Sequence, residues 1–335
     1  MADHMRPQDP LGIRSSAASA GGEAGHTPVL EDEVITMLAP RPGSLFVDCT
    51  AGGGGHTERI LEAASPDGRV LALDADPAAI ERVGERLARF GDRLVLRQAN
   101  FRELAEVAPA AGFDSVDGVL LDLGLSSYQL ADAERGFGFR AGGPLDMRFD
   151  PTAGEPASAL LATLDEGELT DIFRRFGEEP QARRIARAIV DDRRRAPFET
   201  AEHLAALVER VVPRRPGPRG RIHPATRVFQ ALRIAVNAEL EALEIVLSVA
   251  TDLLVPGGRL VILAYHSLED RLVKRFVAAE RRGCVCPPAF PVCVCGRAPR
   301  LRPVGHQPAM PSEAEIVANP RARSARLRTA ERLAA

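Results

Sequence analysis

Short apolar runs in the first half of the chain each end at a polar residue or a glycine, and helix-like patterns separate them. The runs fall at residues 45–47, 69–74, 94–98 and 118–122, and a fifth follows at 259–265. Strands that alternate with helices in this way predict an α/β fold with a parallel sheet and right-handed crossovers. Residues 319–328 alternate late in the chain, as a last edge strand with basic side chains would.

The middle of the chain has a different pattern. Apolar residues recur at helical spacing within 160–164, 169–176, 185–189 and 204–208, with no strand-like run among them. We therefore predict a discontinuous α/β domain of residues 26–135 and 222–335, interrupted by a helical insertion of residues 136–221. Residues 1–25 are rich in Ala, Gly, Ser and Pro and lack the apolar core of a signal peptide, so a disordered tail is expected there.

Composition and charge narrow the class of protein. Hydrophobic residues make up 45% of the chain and charged residues 27%, as in globular proteins. Without a run of about 18 apolar residues or a signal peptide, we expect no membrane span and a cytoplasmic location. The positive charge is almost all arginine and concentrates in residues 183–221 and 281–335, which form either solvated faces or surfaces that bind phosphate. The candidate phosphate contacts are Arg193, Arg194, Arg195, Arg214, Arg215 and the C-terminal arginines.

The first predicted strand runs into four consecutive glycines, residues 52–55, and helix-compatible sequence follows them. We call residues 52–55 the glycine turn. Such a turn brings backbone N–H groups close to a ligand, because only glycine allows so near an approach. The spacing is not Gly-x-Gly-x-x-Gly, and no Gly-Lys-Ser or Gly-Lys-Thr of a P-loop is present. With Asp48 ahead of the turn, the pattern favours a smaller ligand, S-adenosylmethionine.

Three acidic residues, Asp48, Asp74 and Asp122, fall at the ends of predicted strands. Ligands of parallel α/β sheets bind at the carboxyl ends of the strands, so these acids predict a site around the glycine turn. Asp74 lies 19 residues after Gly55, where an acid accepts hydrogen bonds from ribose hydroxyls. Phe101, after the third strand, either stacks on an adenine ring or belongs to the core.

Four cysteines, Cys284, Cys286, Cys293 and Cys295, form two C-x-C pairs. Paired cysteines of a cytoplasmic chain bind zinc more often than they form disulfides, although zinc pairs usually enclose two or more residues. A structural zinc site and a redox or free-thiol loop are therefore both open. Cys49, within the segment before the glycine turn, is expected to be a small buried residue.

Eight segments, taken in order, resemble the MraW family, the bacterial cytosine-N4 methyltransferases of 16S ribosomal RNA. The segments are HTPVL (26–30), DCTAGGGGH (48–56), LDLGLSSYQL (121–130), RGFGF (135–139), GPLDMR (143–148), HPATRVFQALRI (223–234), HSLEDR (266–271) and NPRARS (319–324). The N-terminal tail is outside this pattern, and the resemblance does not bear on the cysteine loop.

The resemblance implies a Rossmann-like S-adenosylmethionine-dependent methyltransferase sheet with an inserted all-α domain that helps to recognise the substrate. It implies methylation of the exocyclic N4 amine of a cytidine in the decoding centre, next to the P site. The partner would be 16S ribosomal RNA or the small ribosomal subunit. The implied cofactor contacts are Gly54, Gly55, His56, Asp74, Phe101, Asp122 and Gln129. His56 and Gln129 come from the resemblance alone.

The residues on the amine side are less well defined. Amine methyltransferases of the Asn/Asp-Pro-Pro-Tyr type carry that motif after strand four, where this chain has Asp122-Leu-Gly-Leu. The candidates are Asp146 and His266, with a turn-capping carboxylate and a strand-end histidine as the structural alternatives. Two other functions stay open: an S-adenosylmethionine-binding assembly factor of the small subunit, and an N-methyltransferase that acts on another nucleic acid.

Overall fold

The computed structural model describes residues 28–139, 142–212, 223–287, 290 and 292–334. A seven-stranded sheet flanked by helices forms the centre of this part of the chain. The strands are β1 (Leu45–Asp48), β2 (Arg69–Asp74), β3 (Leu94–Gln98), β4 (Val116–Asp122), β5 (Leu254–Ala264), β6 (Leu301–Pro303) and β7 (Arg326–Arg332). Their order is β3-β2-β1-β4-β5-β7-β6, with β1 to β5 parallel and β7 antiparallel to both neighbours. The predicted Rossmann-like α/β fold is confirmed.

The α-helices of the described residues lie before and between the strands. They are α1 (Glu31–Leu38), α2 (Gly55–Ala63), α3 (Pro77–Arg86), α4 (Leu104–Ala110), α5 (Ser127–Ala131), α6 (Ala157–Thr163), α7 (Glu166–Arg175), α8 (Ala182–Asp192), α9 (Ala201–Val211), α10 (Thr226–Asn237), α11 (Glu239–Leu253), α12 (Ser267–Arg282) and α13 (Glu313–Ala318). Within the described ranges, each helix is too short or too polar to cross a bilayer.

The C-terminal edge strand was predicted at the wrong place. Residues 320–324 form a short 3-10 helix, and β7 starts only at Arg326. β7 lies between β5 and β6, so the edge is β6. The three residues of β6 are too few to produce a visible alternation in the sequence.

The two faces of the sheet bury different side chains, as the alternation along a strand requires. Val47 and Leu121 point to the face that α11 and α12 cover, and Phe46 and Leu120 point to the face of α1, α2 and α3. All four are buried. This double coverage explains why the parallel strands read as short apolar runs.

The predicted helices of the middle segment are α6 to α9, which pack around one apolar core that we call the helical cluster. Its buried members include Leu161, Phe173 and Ile185. Phe229 of α10 belongs to the same cluster, although residue 222 is the predicted start of the second α/β segment. The predicted division into domains therefore stays a prediction, and residues 1–27 and the basic loop 213–222 lie outside the described residues.

Candidate functional site

A cavity of about 480 Å³ opens at the carboxyl ends of β1 to β5, beside the glycine turn. The chain proceeds from β1 to β2 and β3 on one side and returns to β4 and β5 on the other, so the strand order reverses between β1 and β4. Open α/β sheets bind ligands at such a point. The strand-end wall of the cavity comes from segments 49–56, 74–75, 100–101 and 122–130, and the helix-side wall comes from 137–149, 226–243 and 265–269.

The glycine turn keeps bare backbone along the cavity. Gly52 and Gly54 have φ values of 53° and 82°, a left-handed conformation that disfavours side chains. At Gly55 an added Cβ would collide with Pro28. Gly52, Gly53 and Gly55 line the cavity, whereas Gly54 shapes the turn directly before α2 and does not line it.

Asp74 ends β2 and faces the cavity. Its Oδ2 accepts the N–H of Gly52 at 2.8 Å, and its Oδ1 accepts the N–H of Asp76 at 2.9 Å. Burial raises the pKa of Asp74 from 3.8 to about 6, and the two hydrogen bonds oppose that rise. Each carboxylate oxygen keeps a lone pair for a further donor, and a ligand hydroxyl there would favour the ionised form.

Asp48 lies beneath the turn and does not line the cavity. The hydroxyl of Thr57 donates to it at 2.6 Å, and the backbone N–H of Thr50 donates at 3.0 Å. Burial raises the pKa of Asp48, against the effect of the Thr57 hydrogen bond. Asp48 thus braces the start of α2, and only the other two strand-end acids face the cavity.

Asp122 links two side chains of the cavity. The hydroxyl of Tyr265 donates to its Oδ1 at 2.7 Å, and Nδ1 of His56 lies 3.4 Å from its Oδ2. Nε2 of His56 lies 3.1 Å from the carbonyl oxygen of Val29. Burial would lower the pKa of His56, but the hydrogen bond and the charge of Asp122 outweigh burial and raise it. The protonated ring can then donate at both nitrogens.

Phe101 and Gln129 also line the cavity. Phe101 is half-buried and packs against the core under α11, so its ring borders both the cavity and the core. Gln129 donates to Oδ2 of Asp76 at 3.2 Å and accepts the N–H of Ser126 at 3.1 Å. The amide group of Gln129 therefore caps α5 and ties it to the end of β2.

The acidic and basic side chains of the helix-side wall are Arg233, Glu239, His266 and Glu269, which we call the acceptor cluster. Arg233 and Glu239 form a bidentate ion pair at 2.8 and 2.9 Å. Nδ1 of His266 accepts the N–H of Glu269 at 3.4 Å, so His266 is the N-cap of α12. Its buried Nε2 lies 3.0 Å from Oε1 of Glu269, without the alignment of a hydrogen bond.

Charges within the acceptor cluster balance one another. Burial would raise the pKa of Glu269, but the close contact with the His266 ring and the charge of Arg233 outweigh burial and lower it. Ligand atoms of Glu239, His266 and Glu269 lie within 4.8 Å of one another, as they would around a metal ion. Because Arg233 already neutralises Glu239, we assign no metal to this cluster.

Asp146 does not reach the cavity, although Met147 beside it does. Its carboxylate accepts Nε and Nη2 of Arg148 at 2.9 and 2.6 Å, and also the backbone N–H of Arg148 at 2.9 Å. Burial would raise the pKa of Asp146, but the Arg148 hydrogen bonds and charge outweigh it and lower the pKa. The hypothesis that Asp146 contacts the amine is withdrawn, since this carboxylate holds the turn.

Hydrogen bonds fasten the helix-side wall to the sheet. Arg135 donates to Oδ2 of Asp76 and to the carbonyl oxygen of Phe149, both at 2.8 Å. Asn237 donates to the carbonyl oxygen of Met147 and accepts the N–H of Phe149, both at 2.7 Å. The loop at 147–149 therefore has a defined position between β2 and α10.

Aromatic side chains supply the apolar surface of this wall. Phe137 and Phe149 have ring centroids 5.8 Å apart, and Phe139 and Phe229 have theirs 5.4 Å apart. All four border the cavity. Planar apolar surface next to charged groups suits a flat heterocycle with polar edges.

Several arginines predicted to contact phosphate have structural partners instead. Nη1 of Arg193 donates to the carbonyl oxygens of Leu161 and Leu164, at 2.7 and 2.6 Å. Arg328 is buried and pairs with Asp270 at 2.7 Å. Arg193 and Arg328 therefore hold the fold, a role that cannot be told from a phosphate contact in the sequence alone. The exposed arginines of the two basic stretches include Arg194, Arg195, Arg321 and Arg323, while Arg214 and Arg215 lie outside the described residues.

Reasoning from the sequence missed several cavity residues, among them Arg233, Asn237, Glu239 and Tyr265. Tyr265 directly follows the last residue of β5, so the rule that ligands bind at strand ends contained a signal for it. The other three lie on or beside α10, where helical spacing gives no indication of which end meets a cavity.

The family comparison agrees with the resemblance. The sequence profile of the MraW methylase family matches residues 23–333. A protein from Thermomicrobium roseum named ribosomal RNA small subunit methyltransferase H is 58% identical over 92% of this chain and 94% of its own length. A protein of the same name from Heliobacterium modesticaldum is 48% identical over 92% of this chain and 98% of its own.

Among solved structures, an rRNA methylase from Streptococcus thermophilus aligns with a TM-score of 0.41 at 11% identity, over 91% of this chain and 94% of that one. Because so low a score carries no argument, the assignment depends on the profile and the two relatives. The chain belongs to the MraW methylase family.

Proposed function

We propose that this protein methylates the exocyclic N4 amine of a cytidine in the decoding centre of 16S ribosomal RNA, at the P site, with S-adenosylmethionine as the methyl donor. The observation that carries the proposal is the single cavity that joins the glycine turn to the acceptor cluster. A methyltransferase has to hold a donor and an acceptor in one site. The names of the two relatives support ribosomal small-subunit RNA as the substrate, which would place the protein in the cytoplasm.

The strand-end wall suits an adenosine ligand with an amino-acid part. Asp74 has free lone pairs for two ribose hydroxyls, and Phe101 offers a ring edge or face to the adenine. The bare backbone of Gly52, Gly53 and Gly55 can approach the methionine part, with Asp122 and His56 beside it. Gly54 and Gln129 act by shaping the turn and by holding α5.

S-adenosylmethionine would supply an electrophilic methyl group: the carbon–nitrogen bond would form as the carbon–sulfur bond breaks, S-adenosylhomocysteine would leave, and one amine proton would pass to solvent. The protein has to hold the amine in line with that bond, because the cytosine amine is a poor nucleophile. Orientation of this kind can lower a barrier by about 7 kcal/mol or more.

The acceptor cluster is placed to hold the base. Nε2 of His266 is a buried atom without an aligned partner, and in the neutral ring it carries the proton because Nδ1 accepts from Glu269. It can therefore donate to an acceptor on the cytosine edge. The carboxylates of Glu269 and Asp122 favour the positive charge that develops on the amine.

The helix-side wall suits a base that has left its stack. A cytosine within folded RNA has to swing out to reach a cavity at the strand ends. Phe137, Phe139 and Phe229 provide apolar surface for such a base. Arg194, Arg195 and Arg321 are the exposed cations that we propose contact phosphate.

A methyl-transfer assay tests the proposal. Isolated small subunits and naked 16S RNA are each incubated with the protein and isotope-labelled S-adenosylmethionine, and cofactor binding is measured separately by calorimetry. We expect the label in the RNA of at least one substrate. Cofactor binding with no label in either substrate would contradict the proposal and would favour an assembly factor.

A further inference from the structure

A loop at residues 283–300 joins α12 to β6 and contains the four cysteines Cys284, Cys286, Cys293 and Cys295. Their sulfur atoms all lie within 4.8 Å of one another. Three pairs are closer: Cys284 to Cys293 and Cys293 to Cys295 at 3.5 Å, and Cys284 to Cys295 at 3.8 Å. None of the four is in a disulfide, so the arrangement is a cluster of free thiols.

These spacings match a tetrahedral metal site. Four thiolates at about 2.3 Å from a zinc ion stand roughly 3.8 Å from one another. The backbone N–H of Val294 also lies 3.4 Å from the sulfur of Cys286, a donor of the kind that accompanies metal-bound thiolates. A ligand set made only of sulfur suits zinc and leaves no position open for a substrate.

The described apolar residues of the loop tip are mostly exposed. Val285, Val292 and Val294 are 60%, 69% and 72% exposed, so these side chains bury little apolar surface. The base is fastened to α12, where Glu280 accepts the side chain of Arg300 at 2.5 Å and its backbone N–H at 2.9 Å. A loop of this length without a core of its own needs a cross-link to keep one conformation.

We propose that Cys284, Cys286, Cys293 and Cys295 bind one structural Zn²⁺ ion that fixes the loop between α12 and β6. The site stands at the C-terminal end of α12, whereas His266 precedes the N-terminal end. The 16 residues of α12 separate the two by about 24 Å. The zinc therefore has no part in the chemistry of the cavity, and its existence does not depend on the proposed function.

The test measures metal in the full-length chain, expressed with zinc, iron and copper all available and purified under reducing conditions. Elemental analysis is expected to give one zinc ion per chain, released when a mercurial reagent blocks the thiols. The variant C284S/C293S should lose the ion. The matched control is C49A, which removes the buried cysteine outside the cluster and should keep it.

Two further measurements keep the test decisive if the double variant fails to fold. Cobalt added to the metal-free wild-type chain should give the ligand-field absorption of a tetrahedral tetrathiolate site. Limited proteolysis should cut the loop at 283–300 only after zinc is removed. A wild-type chain without bound metal, a chain loaded with iron or copper, or a disulfide between any two of the four cysteines would overturn the proposal.

Discussion

The residues of the two cavity walls are brought together in different ways. The strand-end wall uses short segments that each follow a strand of the sheet, so its residues meet because parallel strands end at one edge. In the helix-side wall, residues 265–269 directly follow β5, whereas residues 137–149 and 226–243 are distant in the sequence and meet through the helical cluster and hydrogen bonds such as that of Asn237 with Phe149. A ligand-binding wall given by topology can be predicted from local sequence, and one given by packing cannot.

Variants in the two walls should therefore have different defects, and a variant in the helical cluster should have the largest effect, on the free energy of unfolding. Phe173 is fully buried there, so Phe173→Ala should lower the free energy of unfolding by about 3–5 kcal/mol, through lost burial and the cavity left behind. Denaturant unfolding followed by circular dichroism measures this. Phe290→Ala, at a side chain that is 53% exposed, is the control and should change stability little. Equal losses in both variants would mean that the cluster does not support this wall.

On the acceptor cluster, His266→Ala should reduce kcat of methyl transfer by about 100-fold while leaving the Kd for the cofactor unchanged. The physical reason is the lost hydrogen bond that orients the base. Steady-state transfer assays and calorimetry separate the two effects, with His306→Ala at an exposed position as the control. A variant that binds cofactor poorly, or that transfers methyl groups at the wild-type rate, would remove His266 from the acceptor side.

On the strand-end wall, Asp74→Asn should show the opposite defect. The Asn side chain keeps the shape of Asp74 but replaces one carboxylate oxygen by an NH2 group and removes the negative charge. It accepts fewer and weaker hydrogen bonds from ligand hydroxyls, so cofactor binding should weaken by about 2 kcal/mol, or roughly 30-fold. Calorimetry measures the change. Asp114→Asn, at an exposed residue just before β4 and so at the opposite end of the sheet, should bind cofactor normally. Unchanged cofactor affinity in Asp74→Asn would contradict the proposal that the strand-end wall binds the cofactor.

The pH dependence of cofactor binding gives a smaller and more specific effect. The pKa of Asp74 is about 6, so its carboxylate is ionised above that pH and protonated below it. Hydroxyl donors favour the carboxylate, so the cofactor Kd should rise by about tenfold for each pH unit below 6 and be flat above. Titrations from pH 5 to 8 measure this. Asp74→Asn should lack the inflection, and an inflection that persists there would assign it to another group, such as His56.

Much of the fold was predictable, and the reasons are visible in particular residues. Leu71 and Leu121 belong to short apolar runs that are typical of buried parallel strands, and Phe173 and Ile185 each belong to a set of apolar residues at helical spacing. β6 and the true place of β7 were not predictable, because β6 is short and the pairing of β7 depends on contacts distant in the sequence.

The candidate site also contains residues that the sequence predicts and residues that it does not. Asp74 and Asp122 could be identified because each ends a strand. Asp146 was misread because a carboxylate in a glycine-rich segment looks available until its bonds to Arg148 are seen. Arg233 and Glu239 were missed because an ion pair across the end of one helix and the start of the next leaves no pattern in the sequence.

The most direct test of the central claim is to identify the methylated atom. Small-subunit RNA lacking the modification is treated with the purified protein and S-adenosylmethionine, digested, and mapped by mass spectrometry of the nucleosides and of the fragments. We predict N4-methylcytidine at one position in the decoding centre, formed about 100-fold more slowly when His266→Ala replaces the wild type. A methyl group on a ring carbon, on a ribose or on another base would contradict it.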